Sequence, residues 1–354
     1  MSHSVNLFPE PYKPSRQPGN PVSVNDTGSL WKKELANATT SVASLLEQLD
    51  LGHHIEATDI QPGFTCLVTE SYINKIQSGN INDPLLQQVL PLNKETHLTT
   101  QQNGLHDPVG DINAQASQGL LHKYHGRILL ISTGACAIHC RYCFRRHYPY
   151  QQASYSSKTL NHVLNYLKKH TEIEEVILSG GDPLILDNEK LASLIEKLET
   201  INHLHTLRIH TRLPVVLPNR INTSLIQLLQ SSRFQIVMVI HANHANELQH
   251  AEYTKLHLLQ QAGITLLNQS VLLKGINDNS ETLTTLSKRL FQCKTLPYYL
   301  HLLDPVKGAM HFEVSKRSAL RLKKEMEEHL PGYLVPRIVQ EIAGNKSKTA
   351  FFRI

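Results

Sequence analysis

The sequence contains no long hydrophobic run and no concentrated block of one charge. No stretch of its 354 residues approaches the roughly 18 consecutive apolar residues that a membrane-spanning helix needs. Near the start, no charged segment followed by an apolar one marks a secretion signal. We therefore expect a cytoplasmic protein without a membrane partner. The net charge of +5 forms no basic block or stripe, so nucleic acid is not an expected partner either.

Cysteine is also scarce, with five residues in the chain, an odd number. Three of them, Cys136, Cys140 and Cys143, lie in one short segment. This distribution argues against a disulfide framework and for a reducing compartment in which thiolates survive. The other two, Cys66 and Cys293, are isolated and have the pattern of ordinary buried thiols.

The clustered cysteines have the spacing of a metal clamp. Iron–sulfur clusters usually take four thiolates, so three of them would hold a 4Fe-4S cluster and leave one iron open to a small molecule, most often S-adenosyl-L-methionine (SAM). The alternative is a structural zinc site with His139 or His147 as a fourth ligand, which would suit a binding protein rather than an enzyme. Zinc sites usually combine two separated ligand pairs, and this chain has no second cysteine pair.

Residues 1–121 form a mostly helical N-terminal region in our interpretation. The first 28 or so residues are rich in Pro, Ser and Asn, as in a tail or an arm that wraps another surface. Apolar residues then recur at helical spacing between Leu30 and Leu49. Short helical stretches and loops are expected to follow.

From residue 122 onward, apolar β-branched runs alternate with amphipathic segments. Strands separated by helices form parallel βα units, and right-handed crossovers would curl six of them into an open α/β structure, a partial (β/α)6 barrel, over residues 122–345. Residues 346–354 form a short C-terminal segment. The expected strands are Arg127–Ser132, Glu175–Ser179, Leu207–Thr211, Phe234–His241, Ile264–Leu273 and Leu296–Leu303. The expected helices are Ser157–His170, Asn188–Thr200, Thr223–Leu229, Ala245–Ala262, Ser280–Phe291 and Ser315–His329.

Polar motifs follow these strands, where the reactive groups of such barrels gather. The cysteine segment follows the first strand, and Gly180-Gly181-Asp182 follows the second. Two glycines let the backbone approach a ligand closely, and Asp182 could accept a hydrogen bond from a ligand ammonium group. Taken alone, Gly-Gly-Asp is also an ordinary turn. The later strands end in His210-Thr211-Arg212, His241, Asn268-Gln269-Ser270 and Asp304.

The cysteine motif followed by Gly-Gly-Asp-Pro resembles the radical SAM superfamily, and the resemblance covers about residues 122–345. It implies that a reduced 4Fe-4S cluster passes an electron to the sulfonium of SAM and releases a 5′-deoxyadenosyl radical that abstracts a hydrogen atom. An electron donor is therefore an implied partner. Gly180, Gly181, Asp182 and His241 would contribute to binding SAM.

Four further segments are similar to those of lysine 2,3-aminomutases: Cys143–His147, Leu213–Arg220, Asn268–Gly275 and Gly344–Thr349. The segments His122–Arg127 and Pro297–Asp304 match best the branch that supplies (R)-β-lysine for modifying elongation factor P. The resemblance implies an isomerase that converts L-lysine, (S)-α-lysine, to (R)-β-lysine with pyridoxal 5′-phosphate (PLP), and a functional link to the elongation factor P ligase. Another amino acid, such as glutamate, or a protein-bound lysine remains an alternative substrate.

Moving an amino group between adjacent carbons by a radical route needs an imine nitrogen, which the PLP aldehyde provides. The resemblance assigns the lysine that holds this aldehyde to Lys348, with Lys346 as the nearby rival. It assigns the phosphate contacts to Lys123, Tyr124, Arg127 and Gln269. Lys123 stands where the free-standing enzymes have arginine, so a point charge replaces a planar fork.

The substrate contacts follow from the same resemblance. Arg145 would pair with the α-carboxylate through its planar guanidinium, and its neighbour Arg146 is the rival. Asp304 and Glu341 would bind the distal ammonium group of lysine. Two carboxylates there would repel glutamate. Glu341 replaces an aspartate of the family, and its longer side chain predicts weaker binding of free lysine than in the catabolic enzymes.

Overall fold

The computed structural model describes residues 30–59, 63–96, 103–150 and 157–351. The predicted arm at the start of the chain lies outside these ranges. The α-helices are α1 (Leu30–Ala36), α2 (Val42–Gln48), α3 (Glu70–Ile73), α4 (Ser157–Lys169), α5 (Asn188–Glu199), α6 (Leu213–Val216), α7 (Thr223–Ser231), α8 (His250–Gln261), α9 (Ser280–Gln292) and α10 (Lys316–His329). The β-strands are β1 (Gln115–Ser117), β2 (Leu120–Tyr124), β3 (Arg127–Thr133), β4 (Glu175–Gly180), β5 (Thr206–Thr211), β6 (Gln235–Ile240), β7 (Thr265–Val271), β8 (Leu296–His301), β9 (Arg337–Gln340) and β10 (Thr349–Ala350).

The ten strands form one sheet in which spatial order follows chain order. Strands β3 to β9 pair parallel with one another. At the two ends of the sheet the pairing is antiparallel, between β1 and β2, β2 and β3, and β9 and β10. Within the described ranges β1 and β10 do not pair with each other, so the sheet stays open. Chain order and parallel pairing together give the partial barrel that the sequence predicts.

The six predicted strands are confirmed as β3 to β8, with ends that differ by a few residues. The prediction missed the short strands β1 and β2 before β3, β9, a seventh parallel strand of four residues, and β10, which pairs back onto β9. Such short segments carry too few residues to show an alternating pattern. The helix predicted over 245–262 is interrupted, because a 3-10 turn at Ala245–Glu247 precedes α8.

Local sequence explains why the helices begin where they do. Side chains of Asp187, Asn222, Asn279 and Ser315 each accept a hydrogen bond from a backbone amide in the first turn of α5, α7, α9 and α10. Such caps satisfy amides that have no partner inside the helix, and each contributes about 1 kcal/mol. The helices therefore start close behind the loops that leave the strand ends.

One continuous hydrophobic core joins the N-terminal helices to the barrel. It contains Trp31 and Leu45 from the N-terminal region and Leu130, Leu178 and Ile209 from the sheet. The predicted boundary at residue 121 falls inside β2, so it cuts a strand of the common sheet. The division into separate regions stays a prediction. Among the described residues, no helix combines the length and apolarity needed to cross a membrane.

Candidate active site

The cysteine loop follows β3, and all five cysteines of the chain are free. Burial raises the pKa of Cys143 to about 11, with the neighbouring Cys140 adding to the effect. Burial also raises the pKa of Cys136, and the charges of Cys143 and Asp182 act in the same direction. Cys136 and Cys143 are therefore protonated at neutral pH, and a bound metal has to displace those protons.

A donor set of three thiols on one loop has the chemistry that a 4Fe-4S cluster needs. Among the described residues, no group of three or more His, Cys, Asp or Glu side chains could hold a single metal ion. A cluster makes a different demand, since each thiolate binds a separate iron. The two histidines of the zinc alternative face backbone oxygens: His139 Nδ1 lies 2.9 Å from Thr65 O, and His147 Nε2 lies 3.1 Å from Lys307 O.

The buried carboxylate of Glu95 anchors the cysteine loop through two arginines, Arg141 and Arg146. Glu95 accepts hydrogen bonds from Arg141 at 2.6 and 2.7 Å and from Arg146 at 2.9 Å. Burial alone would raise the pKa of Glu95, but the hydrogen bonds and charges of the two arginines outweigh it and lower the pKa. Arg146, the alternative to Arg145 as a partner of the substrate carboxylate, forms an ion pair with Glu95.

The glycines of the Gly-Gly-Asp motif make room for the cysteine loop itself. A Cβ on Gly181 would lie 2.2 Å from Ala135 O, and one on Gly180 would lie 2.4 Å from Thr133 O. Gly180 also has a φ of +124°, which side chains rarely allow. The sequence predicts that these glycines bring the backbone close to a ligand. In the structure they instead bring the end of β4 close to the backbone of the loop after β3. A ligand contact at these glycines stays a prediction.

Asp182 is engaged with protein donors rather than pointing freely toward a ligand. Its Oδ1 accepts from Thr211 Oγ1 at 2.7 Å and from Leu184 N at 3.1 Å, and its Oδ2 accepts from Arg212 N at 2.6 Å. Burial raises its pKa to about 6, against the opposing effect of these hydrogen bonds. Asp182 therefore ties the end of β4 to the end of β5, and the predicted ammonium contact would have to be added to these three.

Alternating charges connect the cysteine loop to the C-terminal segment. Arg145 Nε lies 2.7 Å from Asp111 Oδ2, and Lys123 Nζ lies 2.5 Å from Asp111 Oδ1. Lys123 Nζ also lies 2.7 Å from Glu341 Oε1, and Glu341 Oε2 lies 3.9 Å from Lys348 Nζ. Five residues from the two ends of the sheet and the cysteine loop, four of them predicted site residues, thus form one connected group.

Lys348 is held in this group by the pairing of β10 with β9. Its Nζ lies 3.2 Å from His301 Nε2 at the end of β8. Burial lowers the pKa of Lys348, while the charges of Glu341 and Asp304 oppose this shift. Lys346, the rival, is exposed to solvent. A half-buried lysine with a lowered pKa is the better candidate for an amine nucleophile.

Two buried polar atoms near Lys348 lack a hydrogen-bond partner among the described residues: Asp304 Oδ1 and His210 Nε2. Burial raises the pKa of Asp304 to about 7, with a further contribution from Glu341. Burial lowers the pKa values of His210 and His301 far enough to keep both rings neutral. Buried groups are normally hydrogen-bonded, so the unpaired atoms fit a site that a polar ligand completes.

The predicted phosphate contacts are only partly available. Lys123 Nζ already contacts Val109 O at 2.8 Å in addition to its two carboxylates, so a phosphate would have to compete for this ammonium group. The Arg127 guanidinium lies 4.9 Å from the centre of the Tyr124 ring. Gln269 lies on β7, in register with β8. The phosphate role of all four residues stays a prediction.

Arg145 and His241 are likewise surrounded by protein groups. Arg145 is buried, with Nη1 donating to Ser179 Oγ at 3.0 Å in addition to its contact with Asp111. His241 follows β6 and lies 3.0 Å from the Tyr142 hydroxyl, with the two rings stacked. Burial lowers the pKa of His241 to about 3, so the ring is neutral. Their contacts with substrate and SAM stay predictions.

Sequence reasoning assigned no site role to Asp111, His301 or Arg212. Asp111 lies in the N-terminal region, where no motif marks it. His301 lies at the end of β8 and Arg212 directly follows β5. Position at a strand end could have marked both residues as candidates, but it does not reveal which side chains they contact. Arg212 donates from Nη1 to Cys140 Sγ at 2.6 Å.

Comparison with known proteins decides the family. The model of the Radical SAM superfamily matches residues 130–286, which include all three cysteines of the loop. The chain is 45% identical to the L-lysine 2,3-aminomutase of Haemophilus influenzae over 91% of this chain and 95% of the relative. It is 42% identical to that of Buchnera aphidicola subsp. Baizongia pistaciae, over 90% and 94%, and 41% identical to that of Escherichia coli, over 90% and 93%.

The chain belongs to the lysine 2,3-aminomutase family of the radical SAM superfamily. As a member, it is an isomerase with the partial barrel of that superfamily. Membership also implies a 4Fe-4S cluster and SAM as cofactors. The three thiols of the cysteine loop are a donor set that fits the cluster.

Proposed function

We propose that this aminomutase converts L-lysine to (R)-β-lysine by moving the amino group from the α-carbon to the β-carbon, with PLP as a third cofactor. The match covers more than nine-tenths of the length of the three L-lysine 2,3-aminomutases from Haemophilus influenzae, Buchnera aphidicola and Escherichia coli. The observation that carries the proposal is the half-buried Lys348, held beside His301 and Glu341 at the edge of the barrel. A reaction that shifts an amine needs a carbonyl to carry it, and an amine nucleophile to hold that carbonyl.

When bound, SAM and the cluster supply a radical that removes hydrogen from the substrate, and PLP supplies the aldehyde that carries its nitrogen. Residues of the chain bind and orient these groups. Cys136, Cys140 and Cys143 would hold the cluster, and Lys348 would bind the aldehyde through its amine. The lowered pKa of Lys348 favours the uncharged, nucleophilic form.

Asp304 and Glu341 support lysine as the substrate. A lysine ammonium group entering the site would meet the unpaired Asp304 Oδ1 and the Glu341 carboxylate. The same pair would repel the side-chain carboxylate of glutamate. Arg145 would bind the α-carboxylate, in exchange for or in addition to its present partner Asp111.

The wider role we propose is the supply of β-lysine to the ligase that modifies elongation factor P, in the cytoplasm, with electrons from a separate donor protein. Support comes from the segments His122–Arg127 and Pro297–Asp304, which are similar to those of that branch. Five free cysteines fit a reducing compartment.

The test is an anaerobic assay of the full chain after iron and sulfide reconstitution. The assay contains SAM, PLP, a strong reductant and isotopically labelled L-lysine, and products are identified by mass spectrometry. We expect labelled β-lysine from the wild type and none from Cys140→Ala or Lys348→Ala. The matched control is Cys293→Ala, which removes a buried thiol outside the cysteine loop.

Two results would contradict the proposal in different ways. Cleavage of SAM without any change in lysine would leave the radical chemistry standing and overturn the substrate. Conversion of lysine in the complete absence of PLP, checked by fluorescence of the purified protein, would overturn the third cofactor. Labelled glutamate and a lysylated elongation factor P serve as alternative substrates in parallel reactions.

A further inference from the structure

Arg212 is a buried arginine at the end of β5 that the proposed reaction does not use. Its guanidinium donates in two directions. Nη1 donates to Cys140 Sγ at 2.6 Å, and Nη2 donates to Glu247 Oε2 and to Gln88 Oε1, each at 2.8 Å. A positive charge inside the protein thus touches a sulfur of the cysteine loop.

Hydrogen bonds fix both the backbone and the side chain of Arg212. Its backbone amide donates to Asp182 Oδ2 at 2.6 Å, which connects Arg212 to the Gly-Gly-Asp motif after β4. Its partner Glu247 is fully buried and is itself held by the backbone amides of Asn243 at 2.7 Å and His244 at 3.0 Å. Neither the arginine nor its carboxylate partner can move away from the loop without breaking buried hydrogen bonds.

Such a contact has a defined effect on an iron–sulfur cluster. Hydrogen bonds to the sulfurs and nearby charge are among the factors that set its reduction potential. Reduction adds one negative charge to the cluster and its thiolates. A fixed N–H donor carrying positive charge stabilises that added charge more than it stabilises the oxidised form, so it raises the potential. Glu247 opposes this effect, but it binds the far nitrogen of the guanidinium, while Nη1 faces the sulfur.

We propose that Arg212 is a positioning residue for electron uptake, which holds Cys140 through its Nη1 and makes the 4Fe-4S cluster easier to reduce. The contact acts before any substrate reacts. The inference therefore goes beyond the aminomutase reaction and does not depend on PLP or on lysine.

The experiment compares reduction potentials of the reconstituted full chain under argon, by redox titration followed with electron paramagnetic resonance. Arg212→Lys keeps the charge but loses the planar fork. The double variant Arg212→Met with Glu247→Gln removes one charge of each sign, so Glu247 is not left unpaired. The control is Arg208→Gln on β5, four residues before Arg212, which breaks a half-buried ion pair in which Arg208 Nη2 lies 2.6 Å from Glu175 Oε2.

We expect the double variant to be harder to reduce, with about a tenfold smaller equilibrium constant, or about 59 mV for a one-electron couple. Arg212→Lys should fall between the double variant and the wild type, and Arg208→Gln should match the wild type. Unchanged potentials at an unchanged iron content would overturn the proposal. So would failure of both Arg212 variants to assemble a cluster that Arg208→Gln assembles, since Arg212 would then build the site rather than tune it.

Discussion

The amine nitrogen of Lys348 lies 3.2 Å from Nε2 of His301, although 46 residues separate them in the chain. Burial lowers the pKa of His301, and the charge of Lys348 and the rings of His241 and His210 act in the same direction. The imidazole is therefore neutral, and its Nε2 shares a hydrogen bond with the lysine amine. This contact orients the one amine of the C-terminal segment that is half-buried in the candidate site.

Replacing Lys348 with alanine should abolish the covalent attachment of PLP and the formation of β-lysine. The exposed Lys346 has no comparable environment, so Lys346→Ala should keep both to within about twofold, as most exposed substitutions do. Borohydride reduction of the PLP-loaded protein, followed by peptide mass spectrometry, identifies the modified lysine. A modified Lys346 in the wild type would contradict the assignment.

Binding of lysine should tighten as the pH rises through about 7. The pKa of Asp304 is raised to about 7 by burial and by Glu341, so its carboxyl group is protonated below this pH and charged above it. Only the charged form attracts an ammonium group strongly. The KM for lysine should therefore fall with rising pH in the wild type and lose most of this dependence in Asp304→Asn. A KM profile that is identical in the two proteins would rule out Asp304 as the group responsible.

Glu95→Gln should destabilise the protein and reduce its iron content. The variant leaves Arg141 and Arg146 buried with one carboxylate fewer, and breaking a buried pair costs about 3 kcal/mol. The pKa of Glu95 is lowered, so its contribution is present at neutral pH and is lost as the pH falls from the ordinary carboxyl range through the lowered pKa.

Urea unfolding and iron analysis measure these two effects of Glu95→Gln. The matched variant Glu175→Gln breaks a half-buried pair with Arg208 and should cost about 1 kcal/mol or less. Equal losses of stability and iron content in the two variants would show that Glu95 does not anchor the cysteine loop.

Gly181→Ala should displace the cysteine loop, because the added Cβ would lie 2.2 Å from Ala135 O, a backbone atom that cannot move alone. Overpacking of this kind costs about 1–3 kcal/mol, and iron retention after reconstitution should fall with it. Gly52→Ala adds the same atom where no heavy atom lies within 4 Å. Thermal unfolding and iron content of both variants test the difference, and a normal iron content in Gly181→Ala would contradict it.

The strands that could be predicted are those with enough residues to show their pattern. Strands such as β4 and β6 contain apolar runs and are bounded by helical segments, and the sequence predicts both their existence and their parallel order. Strand β9 has four residues, and β10 has two. They are stable only because each pairs with a neighbour that the rest of the barrel already holds in place.

The candidate site divides in the same way. Spacing alone selected the three clustered cysteines, and resemblance selected Lys348, Asp304 and Glu341. Their partners could not be foreseen, because Asp111, His301 and Arg212 reach the site by tertiary contacts. For the same reason, the sequence presented Asp182 as a group facing a ligand, whereas three protein donors already occupy its oxygens.

The sequence by itself determined the thiol clamp, the alternation of strands and helices, and the family, because these depend on residue type and spacing along the chain. Only the tertiary structure decided which charges meet. Arg145, Lys123 and Lys348 come from separate elements, and their carboxylate partners Asp111 and Glu341 lie between them in space. Electrostatic interactions depend on distance and burial rather than on sequence order. The ion-pair partners of these groups, and hence their pKa values, therefore follow from the way the sheet brings its strand ends together.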